Sequence, residues 1–171
     1  SKNLERNLKL YTLQSKFGVK NSKEKEEETR RIFNKVKDFL QNLQIEDYFK
    51  IELPSENEIN KKFKAILDNY FENVEFNETL TGRSHIDITV GSTIAIEVKK
   101  IESNTPKDEV VGQLVEDLRI GNYAFGIALG IDQTKNNNYI GYNDLYNSKL
   151  NIHYIIKANP FKYKDKKHIN T

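Results

Sequence analysis

Two short runs of alternating residues, joined by a glycine and a serine, constrain the fold of this chain more than any other stretch. They occupy residues 84–100 and read SHIDITVGSTIAIEVKK. Side chains of a β-strand point alternately to opposite faces of its sheet. Each run therefore has one aliphatic face, and the opposite face carries Asp87 on the first run and Glu97 and Lys99 on the second. The pattern predicts a strand pair with two carboxylates and an ammonium on one side.

The sequence around this pair predicts helices and further strands. Helices are expected where apolar residues recur at helical spacing, in residues 4–17, 32–43, 59–71 and 106–121. Other strands are expected at residues 74–80, 123–131 and 150–158, and a polar loop at residues 135–142. Because a helix lies between the third and fourth strands, we expect a crossover and a mixed sheet. The predicted class is α/β, a central mixed β-sheet flanked by helices, with an N-terminal helical extension.

Length and composition narrow the class of protein. The 171 residues suit one domain with a substantial core. We divide it into a helical extension (1–53), a core (54–158) and a basic tail (159–171). The chain has no cysteine, which excludes disulfides, thiolate zinc sites and cysteine nucleophiles, and its three histidines are widely spaced. No apolar run reaches membrane-spanning length, so we expect a soluble, cytoplasmic protein without membrane contact.

The polar face of the strand pair suits a divalent cation. Mg²⁺ prefers octahedral oxygen coordination at about 2.0–2.1 Å and usually takes one or two protein carboxylates, with waters and substrate phosphate oxygens completing the shell. Asp87 and Glu97 can supply the carboxylates, and the backbone carbonyl of Val98 a further ligand. Lys99 can hold or deprotonate an attacking water, or stabilise a pentavalent transition state. This set favours metal-dependent phosphodiester chemistry.

Asp87, followed after nine residues by Glu97-Val98-Lys99, resembles the motif of the PD-(D/E)XK nuclease superfamily. The resemblance covers residues 55–131, and it departs from the motif at Ile86, which stands where proline would be. It implies a restriction-endonuclease-like core and an endonuclease that hydrolyses DNA phosphodiester bonds with Mg²⁺ or Mn²⁺. In that site Asp87 and Glu97 are metal ligands and Lys99 is catalytic.

The resemblance implies two auxiliary residues. Archaeal Holliday-junction resolvases add a glutamate from the helix before the first strand, and the candidates here are Glu56 and Glu58. At 100° per residue Glu56 falls within the apolar stripe of its helix and Glu58 falls off it. Glu56 is therefore the preferred additional ligand, with a plain first-turn acid as the alternative, and Glu58 a capping residue. Gln113 resembles the helix glutamine of RecB-like members, although Asp117 stands where those members have tyrosine.

Other interpretations of these residues stay open. The triplet (Asp/Glu)-x-Lys is short and recurs at Asp165-Lys166-Lys167. The strand pair could instead be a sheet edge at which Glu97 and Lys99 face solvent. Three neighbouring residues could contact phosphates or be ordinary structural residues, namely Arg83, His85 and Lys100.

The alternative function is a catalytically inactive nuclease-like fold that binds nucleic acid or a partner protein. The net charge of +2 permits DNA binding without requiring it. RNA stays open as a substrate beside DNA, and so does a homodimer that pairs two active sites. Substrate structure, sequence specificity and pathway are not encoded in any motif that we identify.

Overall fold

A six-stranded sheet organises the chain in the computed structural model, which describes residues 23–50, 52–79, 85–102, 106–134, 140–147 and 149–161. The helices in these ranges are α1 (residues 23–42), α2 (Glu56–Asp68), α3 (Pro106–Gly121) and a short 3-10 helix (Ile45–Asp47). The strands are β1 (Val74–Thr79), β2 (His85–Val90), β3 (Ile94–Ile101), β4 (Phe125–Asp132), β5 (Gly141–Asn147) and β6 (Leu150–Ala158).

The strands follow the spatial order β1-β2-β3-β4-β6-β5. β1, β2 and β3 are antiparallel neighbours, whereas β3, β4 and β6 run parallel and β5 pairs antiparallel with β6. A parallel pair needs a crossover connection, and α3 supplies it between β3 and β4. The predicted α/β class, with a mixed sheet flanked by helices, is therefore confirmed.

The sheet separates two apolar layers. On one face α1 and α2 pack against alternate strand residues that include Val98 and Leu129. α3 packs on the other face through Val110, Leu114 and Leu118. α1 falls in the stretch predicted as an N-terminal extension, and it buries its apolar stripe in the first layer. No helix in the described part of the chain has the length and apolar composition that crossing a bilayer needs.

The turn between β2 and β3 lies at Gly91 and Ser92, as the alternation predicts. Both residues have positive φ, 64° and 59°. Glycine adopts this region without steric cost, and tight hairpin turns that match the twist of the strands require it. The Thr93 N–H donates to the Val90 carbonyl at 3.3 Å, and the Gly91 N–H donates to the Asn73 carbonyl at 3.0 Å. The turn thereby fixes the register of β2 and β3 and ties both to the start of β1.

β5 corrects the sequence analysis, which predicted a polar loop at residues 135–142 and no strand between 143 and 149. Residues 141 and 142 belong to β5, and residues 135–139 lie outside the described ranges. β5 pairs with β6 on one side only, and it leaves Tyr142 and Tyr146 exposed. Leu145 is the β5 residue that packs against an apolar layer, so the strand has no aliphatic alternation to reveal it.

Three other boundaries bear on the predictions. α2 ends at Asp68, although its predicted stripe extended to Phe71. The helix predicted for residues 4–17 lies outside the described residues. So does the basic tail beyond Phe161.

Gly126 lets α3 approach β4 closely, and its replacement tests that packing. A Cβ at Gly126 would lie 2.8 Å from Leu118 Cδ1 and 3.1 Å from Leu114 Cδ1. We expect Gly126→Ala to lower the free energy of unfolding by about 1–3 kcal/mol through overpacking. Gly112→Ala, on the exposed side of α3 where a Cβ meets nothing within 4 Å, should raise it by about 1 kcal/mol through helix propensity. Urea unfolding of both variants measures the two changes, and a stabilised Gly126→Ala would contradict the close packing.

Candidate active site

β2 leaves β3 at the point where the polar residues begin. The two strands pair at Val90 with Ile94, Thr89 with Ala95 and Ile88 with Ile96. At the next residue of β2, the Asp87 side chain replaces the backbone as the partner of β3: its Oδ2 accepts the Val98 N–H at 3.0 Å. A backbone donor of β3 is thus bound by a side chain of β2 rather than by its backbone. The Asp87 carboxylate is thereby fixed against the edge of β3.

Glu97 is buried on the face of β3 that α3 covers. It alternates with Val98, which faces the other layer, and it lies beside Ala128 of β4 in the parallel register. Only 2% of its surface is exposed. The alternative in which Glu97 faces solvent at a sheet edge is therefore wrong. Its Oε2 has no hydrogen-bond partner among the residues that the structure describes.

The environment of Glu97 opposes a negative charge. Burial, followed by repulsion from Asp87 and then from Asp117, raises the pKa of Glu97 to about 9, and Lys99 acts in the opposite direction. Glu97 and Asp87 are also joined by a side-chain hydrogen bond that favours the protonated acid. Glu97 therefore keeps its proton at neutral pH unless a cation compensates the charge of its carboxylate.

Glu56 lies at the same edge of β3, and the helix start explains why. Ser55 caps α2 by accepting the Glu58 N–H at 3.4 Å, which places Glu56 in the first turn. The Glu56 Oε1 accepts the Lys100 N–H at 3.0 Å. Val98 and Lys100 are two residues apart, so their N–H groups point to the same side of the strand. Asp87 and Glu56 thus accept hydrogen bonds from consecutive N–H groups on the edge of β3 that no longer pairs with β2.

Glu58 lies elsewhere, since its Oε1 forms an ion pair with Lys61 at 3.3 Å. The helical phase that favoured Glu56 over Glu58 therefore agrees with the placement of both side chains. The carbonyl of Val98 lies on the same edge as its N–H, because the two groups of one strand residue point to one neighbour. Asp87, Glu56 and this carbonyl share one edge, and Glu97 lies on the face next to it.

Lys99 and Lys100 diverge on opposite faces of β3. Lys99 shares the α3 face with Glu97, is half-buried and lies beside Gly130 of β4. Lys100 directs its ammonium to the Leu53 carbonyl at 3.4 Å, in the segment before α2. This contact explains Lys100 as a structural residue. Arg83 and the side chain of His85, the other candidate phosphate contacts, lie outside the described residues.

α3 contributes Asp117, a residue to which the sequence analysis gave no role. Asp117 is 4% exposed on the inner face of the helix, about 20° from Val110 on a helical wheel. Gln113 is half-buried and lies one turn before Asp117, at about 40° from Asp117 on the helical wheel. The available signal was an acidic residue in phase with the apolar stripe. An acidic residue in that phase indicates a site only when it is known that α3 packs over Glu97.

The donor set suits a hard divalent cation with oxygen ligands. The described residues contain no group of three or more His, Asp or Glu side chains arranged to hold a metal ion directly. Mg²⁺ retains several waters, however, so it commonly binds only one or two protein carboxylates, and Asp87 and Glu97 with a backbone carbonyl are sufficient. The unbonded Glu97 Oε2 and the repulsion among the carboxyl groups are features that a bound cation would relieve. Asp87 and Glu97, with the carbonyl of Val98, are therefore the residues that could hold Mg²⁺ or Mn²⁺ directly, and Glu56 lies on the same edge of β3.

Comparison of the chain with protein-family models, with curated proteins and with solved structures finds no match. The assignment of a function consequently depends on the residues and geometry described above.

Proposed function

We propose that this protein is a Mg²⁺- or Mn²⁺-dependent endonuclease that hydrolyses DNA phosphodiester bonds, with a restriction-endonuclease-like core. The observation that carries the proposal is the separation of β2 from β3 at Asp87. It leaves two buried, mutually repelling carboxyl groups, Asp87 of β2 and Glu97 of β3, on the side of the sheet that carries Lys99. A strand pair without a site has no reason to bury such a set, because two adjacent carboxyl groups in a low-dielectric interior repel each other and are costly to ionise.

Asp87 and Glu97 would hold the cation, together with the Val98 carbonyl, and Glu56 would approach along the same edge. A bound Mg²⁺ would polarise the scissile phosphate and lower the pKa of a coordinated water. Asp87 is already oriented for this role by the Val98 N–H, and Glu56 by the Lys100 N–H. Little reorganisation of these carboxylates would therefore be needed when a cation arrives.

Lys99 would act on the phosphate. Hydrolysis joins water to phosphorus and breaks the bond to one ester oxygen, which takes up a proton. The Lys99 ammonium, on the same face as Glu97, would hold the attacking water and stabilise the charge that develops on the phosphoryl oxygens. Gln113, one turn from Asp117 on α3, would support the substrate from the helix side.

A catalytically inactive module that binds nucleic acid or a partner protein is the second candidate. One observation favours it, namely that the described residues hold no group of three His, Asp or Glu side chains placed as direct metal ligands. The two candidates differ in metal-dependent chemistry, which a cleavage assay measures directly.

The test is a substrate panel of supercoiled plasmid, linear duplex DNA, single-stranded DNA, branched DNA and RNA, each incubated with Mg²⁺, with Mn²⁺ or with EDTA. We expect cleavage of at least one DNA substrate that requires the metal and is lost in EDTA. Cleavage of RNA alone would correct the substrate class. Metal-independent binding of nucleic acid without cleavage of any substrate would favour the inactive module. Because phosphate contacts release counterions, binding should weaken as salt increases in either case.

A further inference from the structure

Asp117 brings a third buried carboxyl group to the candidate active site, from the opposite layer of the fold. α3 packs tightly on the sheet at Gly126, where Leu114 and Leu118 lie against the glycine backbone. Asp117 is on the same buried face of the helix. Gly126 pairs with Ala95 of β3, and Glu97 lies two residues beyond Ala95 on the same face. The buried face of α3 that carries Asp117 therefore lies over the part of β3 that carries Glu97.

The charges around Glu97 do not balance. Asp87, Glu97 and Asp117 are three buried acids, and Lys99 is a half-buried lysine on the same face of β3 as Glu97. The Glu97 Oε2 is a nearly fully buried oxygen for which the described residues offer no hydrogen-bond donor. Three acids with one lysine can be neutralised by a divalent cation, and this oxygen provides it with a ligand.

Asp117 does not complete a direct ligand set, since no three carboxyl groups in the described ranges are close enough to hold one ion. Mg²⁺ and its substitutes usually retain coordinated waters, and groups in the second layer hold those waters in place. A carboxylate that faces the ligands from across the site is suited to this role.

We propose that Asp117 is a positioning residue of the cation site, which accepts hydrogen bonds from cation-bound water on the side of the site that α3 covers. This inference rests on the proposed function, because it presupposes a cation at Asp87 and Glu97. It also gives α3 a function beyond covering the sheet. The approach of the helix at Gly126 would then set the distance between Asp117 and the ion.

The test is the affinity of the metal-free protein for Mn²⁺, measured by isothermal titration calorimetry and by the electron paramagnetic resonance signal of free Mn²⁺. The variants are Asp117→Asn and Asp117→Ser, two replacements so that the result does not depend on the folding of one. The matched control is Glu116→Gln, which removes one charge from the exposed side of the same helix turn. Circular dichroism and urea unfolding verify that each variant is folded.

We expect both Asp117 variants to bind Mn²⁺ about 10–100-fold more weakly than wild type, and Glu116→Gln to bind it as wild type does. Equal affinity in wild type and in the Asp117 variants would overturn the role of Asp117 and leave the proposed function intact. Absence of saturable Mn²⁺ binding to wild type would overturn both, so the two failures are distinguishable.

Discussion

Replacing Lys99 by alanine is expected to reduce the rate of DNA cleavage by about 10³-fold while the protein stays folded. The reason is that Lys99 is the ammonium on the Glu97 face of β3, where the proposed reaction develops negative charge on the phosphoryl group. Its side chain is half-buried beside Gly130 and does not belong to either apolar layer. Removing it should therefore cost activity rather than stability.

Single-turnover cleavage at saturating Mg²⁺ measures this effect, and thermal unfolding monitors the fold. Lys61→Ala is the matched control, since Lys61 is an exposed lysine of α2 that pairs with Glu58. Both variants lose one positive charge, so a general loss of DNA attraction would affect them equally. Cleavage by Lys99→Ala at the wild-type rate would remove Lys99 from the mechanism.

Replacing Glu97 by glutamine is expected to stabilise the metal-free protein at pH 8 by up to about 5 kcal/mol and to abolish cleavage. The physical reason is the pKa of Glu97, which burial and the neighbouring acids raise to about 9 in the folded state. Between the ordinary pKa of 4.5 and about 9, the folded protein retains a proton that the unfolded chain releases. The contribution of Glu97 to the free energy of unfolding therefore falls as pH rises through this range.

The limiting slope is about 1.4 kcal/mol per pH unit for one such group. Glutamine cannot ionise, so the difference between wild type and Glu97→Gln should grow from near zero below pH 4.5 to its largest value near pH 9. Urea unfolding in EDTA across this range measures the difference directly. A pH-independent difference would show that Glu97 titrates normally in the folded protein and that the site is not under electrostatic stress.

Metal binding should reduce this difference in stability. Mg²⁺ or Mn²⁺ should stabilise wild type, because a ligand that binds only the folded state shifts unfolding by mass action. The same ions should leave Glu97→Gln unchanged, since the amide is a poor ligand for a hard cation at this position. A site residue that lowers the stability of the empty protein is typical of groups retained for function.

The sequence predicted the parts of the site that depend on local periodicity. Strand alternation is local, so it placed Asp87, Glu97 and Lys99 on one polar face, and the phase of α2 separated Glu56 from Glu58. In the structure Glu97 and Lys99 share a face of β3, and Asp87 contacts this strand at the Val98 N–H. Glu56 rather than Glu58 contacts it at the Lys100 N–H. The helix from Pro106 to Gly121 and the last strand from Leu150 to Ala158 also have the predicted bounds.

The remaining features depend on packing between distant segments. Whether Glu97 faces water or a helix is decided by α3, and Asp117 becomes a neighbour of Glu97 only when α3 crosses the sheet at Gly126. β5 was missed because Leu145 alone in its described residues packs against an apolar layer, which gives no apolar period. The pattern of a single sequence predicts which residues share a face of each helix or strand, but it does not predict which faces pack against each other.

The most direct test of the central claim is a crystal structure of the protein soaked in Mn²⁺, with anomalous scattering used to locate the ion. We predict a strong anomalous peak between β2 and β3, in direct coordination with Asp87 and Glu97 and on the edge that carries the Val98 carbonyl and Glu56. Crystals that contain saturating Mn²⁺ but show no peak at Asp87 and Glu97 would contradict the account of this site as a metal-dependent nuclease centre.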